Sequence, residues 1–239
     1  MTKEHKMKKL VIIIMALVAM QVTAQEHRKE HEKEAKKERI HKQMNFTPEE
    51  IATLQTKKMV LRLDLTEAQQ REIHKINLTN AKERKAKMEA HKKGVLHRAF
   101  SVFILNTKNE ILLQRRALNK YHSGGLWTNT CCSHPRKGET TLQAANRRLN
   151  DEMGMKCELK EIFNFVYKAT LDSNLIEHEY DIVFIGFSEI KPKINLNEVS
   201  EYSYISVLDL DKDLINNPNK YTSWLKICFN NFNMHTNLI

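Results

Sequence analysis

Glycine is confined to one part of this 239-residue chain, and its distribution divides the sequence into two regions. All six Gly and all four Cys follow residue 93, together with both Trp and eight of the nine Phe. The first 93 residues are rich in Glu, Lys, Ala and Leu, which favour helix, and they offer no turn glycine. The sequence therefore predicts a helical N-terminal arm joined to a mixed globular domain of ordinary size.

The formal net charge of +10 is also unevenly distributed. Residues 1–93 hold 22 Lys and Arg against 13 Asp and Glu, whereas residues 94–239 hold 17 against 16. A basic helix without interleaved aromatic residues is typical of a solvated surface, so we expect no nucleic-acid partner. Four Cys in a chain of this length indicate reduced thiols rather than a disulfide framework.

Residues 1–24 have the layout of a secretory signal peptide. Basic residues precede an apolar run at 10–20, and small residues follow it at 22–24. This order is typical of an export signal, and the run is too short to span a bilayer comfortably. A buried helix, or a helix lying on a membrane surface, is the alternative. We expect membrane contact only through this segment.

Residues 25–88 complete the arm and contain what look like two copies of one helix start. In the first copy Thr47 precedes Glu50 by three positions, and Thr66 precedes Gln69 in the same way. A Thr that caps a helix is often followed at this spacing by an acidic residue or Gln. The segment resembles the small helical Spy-like periplasmic proteins with the LTxxQ motif. An ordinary amphipathic hairpin is the alternative.

The remaining chain has signals for both strands and helices. Thr140 or Thr141 can cap a helix that Gly154 ends. Runs of β-branched and aromatic residues indicate strands, and the four-residue segment 106–109 indicates a hairpin. We predict strands at 100–105, 110–114, 163–169 and 177–187, and helices at 140–153, 209–216 and 221–232. This order predicts an α/β fold with a mixed sheet flanked by helices.

Candidate catalytic side chains occur in two short segments. Cys132 and His134 lie two residues apart, after a small-residue turn at 123–125. Glu177 and Glu179 alternate in a β-rich run, which places them on the same face of a strand. A thiol, an imidazole and two carboxylates could therefore converge on one cavity and support acid–base chemistry.

These segments and several others resemble type 1 isopentenyl-diphosphate Δ-isomerase, a family of the Nudix superfamily. The resemblance covers about residues 87–232, with the motifs in the family's order and spacing. The segments that carry it are 90–91, 96–100, 114–117, 125–129, 132–135, 147–148, 152–154, 167–169 and 177–179, with Trp224.

The resemblance implies a Nudix-type α/β/α sandwich over residues 89–239. Family members usually begin with a pair of strands before the segment that matches residues 87–91. The helical arm replaces that pair here, so we interpret the chain as a chimera fused near residues 86–91. A domain without the strand pair would lack part of its usual sheet.

The predicted helix at 140–153 carries a degenerate Nudix box. Glu139, Arg147, Glu152 and Gly154 keep their identities, but Arg148 replaces a carboxylate. Nudix hydrolases use several carboxylates to bind the metals that activate water, so this replacement removes a metal ligand and adds a phosphate clamp. The diphosphate would be held rather than hydrolysed. The alternative is that the two arginines are exposed helix charges.

The resemblance implies that Cys132 and Glu179 are the proton-transfer residues, with Tyr167 assisting. Moving a double bond requires a proton at one carbon and removal of another nearby, in a pocket that excludes water. Cys131 does not fit the Cys-x-His-Pro frame that Cys132 satisfies, so we expect it to be a packing residue.

The resemblance also implies a metal centre of three imidazoles and two carboxylates: His91, His97, His134, Glu177 and Glu179. Imidazole-rich ligation suits Zn²⁺ or Mn²⁺, and the sequence does not choose between them. His178 should point to the opposite face of its strand.

The substrate end of the implied site is cationic. Arg116, Lys120, Arg148 and Lys87 would neutralise the phosphates, while Glu152 would contact a Mg²⁺ ion carried on the diphosphate. Trp224 would present a π face to a cationic intermediate. A core or interface aromatic is the alternative for this tryptophan.

The leading hypothesis is an isomerase that converts isopentenyl diphosphate to dimethylallyl diphosphate for isoprenoid synthesis. A Nudix pyrophosphohydrolase is the second hypothesis. The third is an exported helical stress or binding protein that carries an inactive isomerase-like remnant. A small diphosphate substrate implies a cytoplasmic enzyme, which conflicts with the signal-like N-terminus. The sequence does not indicate an oligomeric state.

Overall fold

The computed structural model describes residues 46–171 and 174–236. The signal-like segment 1–24 lies outside the described residues. The chain divides into two compact units with the boundary between Lys82 and Glu83. Within the two described ranges, we find no helix with the length and apolar character needed to cross a membrane.

The first unit contains helix α1 (Pro48–Leu63) and the start of helix α2 (Glu67–Lys93). The Glu50 amide donates to Thr47 Oγ1 at 3.2 Å, and the Thr47 amide donates to Glu50 Oε2 at 2.7 Å. Thr66 and Gln69 form the same reciprocal pair at the start of α2, with distances of 3.4 and 2.9 Å. Both predicted helix starts are therefore confirmed as capping boxes.

Helix α2 continues past the predicted domain edge at residue 88. It runs for 27 residues, so Lys87 and His91 lie one turn apart on the same helix. Gly94, the first glycine of the chain, follows the helix with a left-handed φ of 60°. The assignment of residues 25–88 and 89–239 as separate domains stays a prediction, and the boundary between the two units falls within this helix.

The second unit is built from strands and three further helices. The helices are α3 (Thr141–Met153), α4 (Val207–Asn216) and α5 (Ser223–Thr236). The strands are β1 (His97–Leu105), β2 (Glu110–Arg116), β3 (Trp127–Thr128), β4 (Cys131–Ser133), β5 (Lys160–Thr170), β6 (Ile176–Phe187) and β7 (Val199–Ser206).

The seven strands form one mixed sheet with β1 near its centre. The strand order is β3-β2-β1-β6-β5, and β4 and β7 pair with β1 and β2 respectively. Strands β1 and β6 are parallel over nine residue pairs, whereas the other pairings are antiparallel. The starts of β1 and β6 and the end of β2 therefore meet at one end of the sheet.

Helices cover both faces of the sheet, and β1 shows the separation directly. Phe100, Val102 and Ile104 pack in one apolar cluster with α3, whereas Phe103 and Leu105 pack in another with α4 and α5. Successive side chains of a strand point to opposite faces, so β1 contributes to both clusters. The predicted α/β/α arrangement is confirmed.

Every predicted strand and helix of the second unit is present with somewhat different ends, but strands β3, β4 and β7 were not predicted. Strand β1 begins at His97 rather than at 100, because its parallel pairing with β6 continues to that residue. The last helix begins at Ser223 rather than at 221, because Tyr221 is extended and bridges to Trp127. The Thr140 cap and the left-handed Gly154 at the end of α3 are confirmed.

Candidate active site

A pocket lies at the end of the sheet where β1 and β6 begin and β2 ends. Its lining side chains come from α2, β1, β2, β4, β6, α3, α5 and the loops after β2 and β4. Ten of the thirteen side chains predicted for the site line this pocket. The other three lie next to Glu179: His91, His97 and Tyr167.

The adjacent cysteines of β4 face opposite sides of the sheet. Ser101 pairs with Cys132 and Val102 pairs with Cys131, and residues paired across strands share a face. Cys131 is fully buried in the apolar cluster under α3, as the packing interpretation predicts. Cys132 lines the pocket, where burial raises the pKa of its thiol to about 12. The Cys132 thiol therefore keeps its proton at neutral pH.

Strand β6 places its carboxylates on the same face as Tyr167 of β5. Tyr167 pairs directly with Glu179, and its hydroxyl oxygen lies 2.7 Å from Glu179 Oε2 and 3.0 Å from Glu177 Oε2. One hydroxyl proton cannot serve two carboxylates at once. Both contacts are hydrogen bonds if one carboxyl group carries a proton and donates to Tyr167.

The surroundings of the two carboxyl groups make Glu177 the protonated one. Burial and the nearby charge of Glu179 raise the pKa of Glu177 to about 8. Burial also opposes ionisation of Glu179, but contacts with His134, His97 and Tyr167 hold its pKa well below the usual range. A protonated Glu177, the Tyr167 hydroxyl and an ionised Glu179 thus form one hydrogen-bonded chain.

Three histidines and Glu179 converge within the second unit, with ligand atoms within 4.8 Å of one another. His134 Nε2 lies 2.7 Å from Glu179 Oε1, and His97 Nε2 lies 3.5 Å from the same oxygen. His91 is fully buried, and its ring centroid lies 4.9 Å from that of His97 and 5.4 Å from that of His134. This group does not include Glu177, whose proposed role as a ligand stays a prediction.

The histidine nitrogens have the arrangement expected of a metal centre. His97 Nδ1 lies 2.7 Å from the Val95 carbonyl, so we assign its proton to that nitrogen and a lone pair to Nε2. That Nε2 faces His134 Nε2 at 3.1 Å. Burial lowers the pKa of His91 to about 4 and that of His134 to about 3, so both imidazoles are neutral.

One proton on His134 Nε2 can serve either Glu179 Oε1 or His97 Nε2 but not both fully, whereas a cation among these three atoms could contact all of them. Both ring nitrogens of His91 are buried without a hydrogen-bond partner among the described residues, as is His134 Nδ1. A buried polar atom without a partner is costly, and coordination of one His91 nitrogen to a divalent ion would reduce that cost. The donor set of three imidazoles and one carboxylate therefore fits a divalent transition metal.

Arg116 and Trp224 form one wall of the pocket. The Arg116 guanidinium carbon lies 5.0 Å from the Trp224 ring centroid, a distance typical of a cation–π contact. Trp224 is buried beside Tyr167, Leu171 and Leu175, and it also lines the pocket. The packing role and the site role proposed for this tryptophan are therefore compatible.

Two further cations, Arg148 and Lys120, line the pocket. Arg148 Nη2 donates to Glu152 Oε1 at 2.5 Å and to Glu198 Oε2 at 3.2 Å. Lys120 also contacts Glu198, and Gln114 donates to Glu152 at 2.9 Å. On the same helix, Arg147 pairs instead with Glu139, outside the pocket. The two neighbouring arginines thus have different surroundings, and Arg148 is the one that faces the pocket.

Lys87 reaches the pocket from the last turns of α2. Burial lowers the pKa of its ammonium group to about 8, although the charge of Glu179 opposes this shift. Lys87 is therefore still mostly protonated at neutral pH. The helix that carries it also carries His91, and sequence analysis placed both residues at a domain junction rather than within one continuous helix.

Sequence reasoning missed several polar residues around the pocket. Ser101 donates to the buried Asp181 at 2.8 Å, and the buried ring of His122 packs edge-on against Trp224 at 5.7 Å. Glu198 directly precedes β7, between the matched segments 177–179 and Trp224. Ser101 pairs with Cys132 across the strands, so a correct strand alignment could have predicted that it lies near the pocket. No local pattern distinguishes Glu198 from the exposed acidic residues around it.

Comparison with known proteins is consistent with this geometry. A family model described as the NUDIX domain matches residues 95–225. Isopentenyl-diphosphate Delta-isomerase 2 from Photorhabdus laumondii is 54% identical over 145 residues, which are 60% of this chain and 81% of that protein. Isopentenyl-diphosphate Delta-isomerase from Pectobacterium atrosepticum is 50% identical over 143 residues, covering 60% and 80% respectively.

Among solved structures, the MutT protein from Methanosarcina mazei Go1 matches with a TM-score of 0.49 at 21% identity, covering 58% of this chain and 94% of that one. The family model spans more than half of this chain, and the sequence relatives are matched over four fifths of their length. The chain therefore belongs to the isopentenyl-diphosphate Delta-isomerase family of the Nudix superfamily.

Proposed function

We propose that this protein converts isopentenyl diphosphate to dimethylallyl diphosphate, a step that feeds isoprenoid synthesis. The observation that carries the proposal is the arrangement of one pocket. Cys132 and Glu179 line it together with the cations Arg116 and Arg148. A short alkenyl diphosphate has two parts that match these two sets of residues: an apolar chain that reacts and an anionic group that cations can bind.

In this proposal Cys132 and Glu179 exchange protons with the alkene, and Tyr167 supports Glu179. One group delivers a proton to the terminal carbon of the double bond. The other removes a proton from the methylene carbon attached to the inner carbon of that bond. The neutral thiol of Cys132 and the hydrogen-bonded chain through Tyr167 give the pocket two separate proton-carrying groups. Such groups typically contribute about 10² to 10⁴-fold each.

The intermediate resembles a tertiary carbocation, so the reaction needs a pocket that excludes water. The buried Phe100 and Trp224 supply apolar walls. A π face of Trp224 would stabilise the cationic state by about 2 kcal/mol when desolvated. Arg116 lies over this ring, and diphosphate oxygens near its guanidinium would offset its charge.

We assign His91, His97, His134 and Glu179 as the residues that would hold a divalent ion, with Glu177 as a fifth ligand. Mn²⁺ and Zn²⁺ both suit this donor set. A bound ion would orient Glu179 and tune its acidity. The contact with the Val95 carbonyl places the proton of His97 on Nδ1, which leaves Nε2 available as a ligand.

The diphosphate group would lie against Arg116, Lys120, Arg148 and Lys87, and Glu152 would contact the Mg²⁺ ion that accompanies it. The four cations come from four different segments of the chain, which suits a charge spread over two phosphoryl groups. The substrate partner is thus a small diphosphate. We propose a cytoplasmic site of action, because a diphosphate of this kind does not cross membranes readily.

The test is an isomerisation assay. Purified protein is incubated with isopentenyl diphosphate and Mg²⁺, with and without added Mn²⁺ or Zn²⁺, and the products are separated. We expect the dimethylallyl isomer and no release of phosphate. Release of inorganic phosphate with isopentenyl monophosphate would indicate a Nudix pyrophosphohydrolase instead. Recovery of unchanged substrate under all metal conditions would reject both activities.

A further inference from the structure

Glu198 connects two of the cations that line the pocket although its own side chain does not line it. Its carboxylate contacts the Lys120 ammonium group and accepts from Arg148 Nη2 at 3.2 Å. Lys120 lies in the loop after β2, and Arg148 lies on α3. A single carboxylate from a third segment thus bridges cations that are distant in the sequence.

Backbone hydrogen bonds fix the segment that presents Glu198. The Asn195 amide donates to the Glu152 carbonyl at 2.8 Å, which ties the segment to the end of α3. The Ala117 amide donates to the Glu198 carbonyl at 3.0 Å, which ties it to the end of β2. The carboxylate therefore has a fixed position between the two elements that carry its cationic partners.

The charges around Glu198 explain why such a bridge is needed. The side chains of Lys120 and Arg148 are each 20% exposed, so water screens their mutual repulsion only in part. Arg116 and Lys87 add further positive charge to the same pocket. Burial alone would raise the pKa of Glu198, but contacts with Lys120 and Arg148 lower it, so the carboxylate is ionised.

We propose that Glu198 is a positioning residue that holds Lys120 and Arg148 together as one clamp for a diphosphate group. This inference rests on the proposed function of the same pocket and deepens it. Glu198 acts through the two cations and does not contact the substrate. Its removal would free Lys120 and Arg148 to separate, and each diphosphate would then have to bring them together on binding.

The test compares Glu198→Gln with the wild-type protein in two measurements. The first is calorimetric binding of inorganic pyrophosphate in the presence of Mg²⁺, and the second is the KM for isopentenyl diphosphate. We expect both constants to rise about tenfold, equivalent to about 1.4 kcal/mol, with kcat changed much less. Glu201→Gln is the matched control, because the exposed Glu201 carboxylate pairs with Arg115 at 3.3 Å outside the pocket. It should leave both constants unchanged.

A double-mutant cycle with Lys120→Met identifies the path of the effect. If Glu198 acts through Lys120, Glu198→Gln should weaken pyrophosphate binding less in the Lys120→Met background. Additive effects would overturn the inference, and so would tighter binding by Glu198→Gln, which would make the carboxylate a competitor of phosphate. Glu198→Asp, which keeps the charge, provides a second variant if the glutamine variant loses its near-UV circular dichroism.

The two proposals fail in distinguishable ways. If the wild-type protein does not isomerise the substrate but Glu198→Gln weakens pyrophosphate binding, only the reaction assignment is wrong. If the wild-type protein isomerises the substrate and Glu198→Gln matches it in both constants, only the role of Glu198 is wrong.

Discussion

The two ends of the pocket are built in different ways. At the proposed reacting end, Cys132, Glu179 and Tyr167 project from β4, β6 and β5, which are connected through β1 by strand pairing of fixed register. At the cationic end, Arg148 and Lys120 come from a helix and a loop, and long side chains meet through Glu198. Strand pairing can place short side chains closely without further help, whereas flexible cations require a carboxylate partner to set their positions.

The largest expected effect is at the reacting end. We predict that Cys132→Ala lowers kcat by about 10² to 10⁴-fold, because it removes one of the two proposed proton-transfer groups. Cys131→Ala is the matched control, since that thiol points into the apolar cluster on the other face of β4. It should lower the Tm by a few degrees, as a small buried truncation does, while the rate per folded molecule is retained. Equal losses of kcat in the two variants would contradict the assignment.

Metal removal should be the next largest effect. We predict that chelation inactivates the protein and that His134→Ala weakens divalent-ion binding by at least about 10 to 100-fold, the range for changes in supporting residues. His178→Ala is the control, because His178 bonds to the Gly94 carbonyl outside the cluster. Metal content is measured by elemental analysis of dialysed protein. Full activity of metal-free protein, with Mg²⁺ supplied only for the diphosphate, would refute the proposed centre.

At the cationic end, the neighbouring arginines of α3 offer a direct comparison. We predict that Arg148→Gln raises the KM by about 10 to 100-fold, the range for loss of a charged hydrogen bond. Arg147→Gln should leave the KM unchanged, since Arg147 pairs with Glu139 outside the pocket. Steady-state kinetics at saturating Mg²⁺ measure both variants. A similar KM for the two variants would contradict the prediction that Arg148, and not Arg147, binds the diphosphate.

The Arg147–Glu139 pair should affect stability and its pH dependence. Its hydrogen bonds to Arg147 lower the pKa of Glu139 to about 2, below the value of an unfolded glutamate near 4.5. The pair therefore stabilises the fold above pH 4.5, and this contribution is lost as the pH falls from 4.5 towards 2. We predict that Glu139→Gln lowers the Tm by a few degrees at neutral pH and that the difference from wild type shrinks across that window. A difference that is independent of pH would show that ionisation of Glu139 is not its cause.

The smallest effect on chemistry is expected from removal of the arm. Every side chain that lines the pocket belongs to the unit that begins at Glu83. We predict that a chain beginning at Glu83 keeps the wild-type rate per folded molecule, because it retains Lys87 and His91 with the last turns of α2. Thermal unfolding and the isomerase rate are measured together. A folded but inactive chain would show that the arm contributes to the site.

Sequence patterns predicted the local structure well. The caps at Thr47, Thr66 and Thr140 are properties of a few adjacent residues, and each is present as predicted. The alternation of Glu177 and Glu179 correctly placed both on one strand face. The predicted starts of β1 and α5 were less accurate. Pairing with the distant strand β6 extends β1 towards its N-terminus, and the bridge from Tyr221 to Trp127 moves the start of α5 to a later residue.

By itself, the sequence determined the mixed fold and the identity of most residues that line the pocket. These follow from composition, strand alternation and motif spacing, all of which act over short stretches or through the family resemblance. Tertiary structure alone decided that α2 carries Lys87 and His91 into the second unit, that Glu177 and Glu179 differ in protonation, and that Glu198 joins two cations. Such features depend on burial and on contacts between distant segments, which no local pattern encodes.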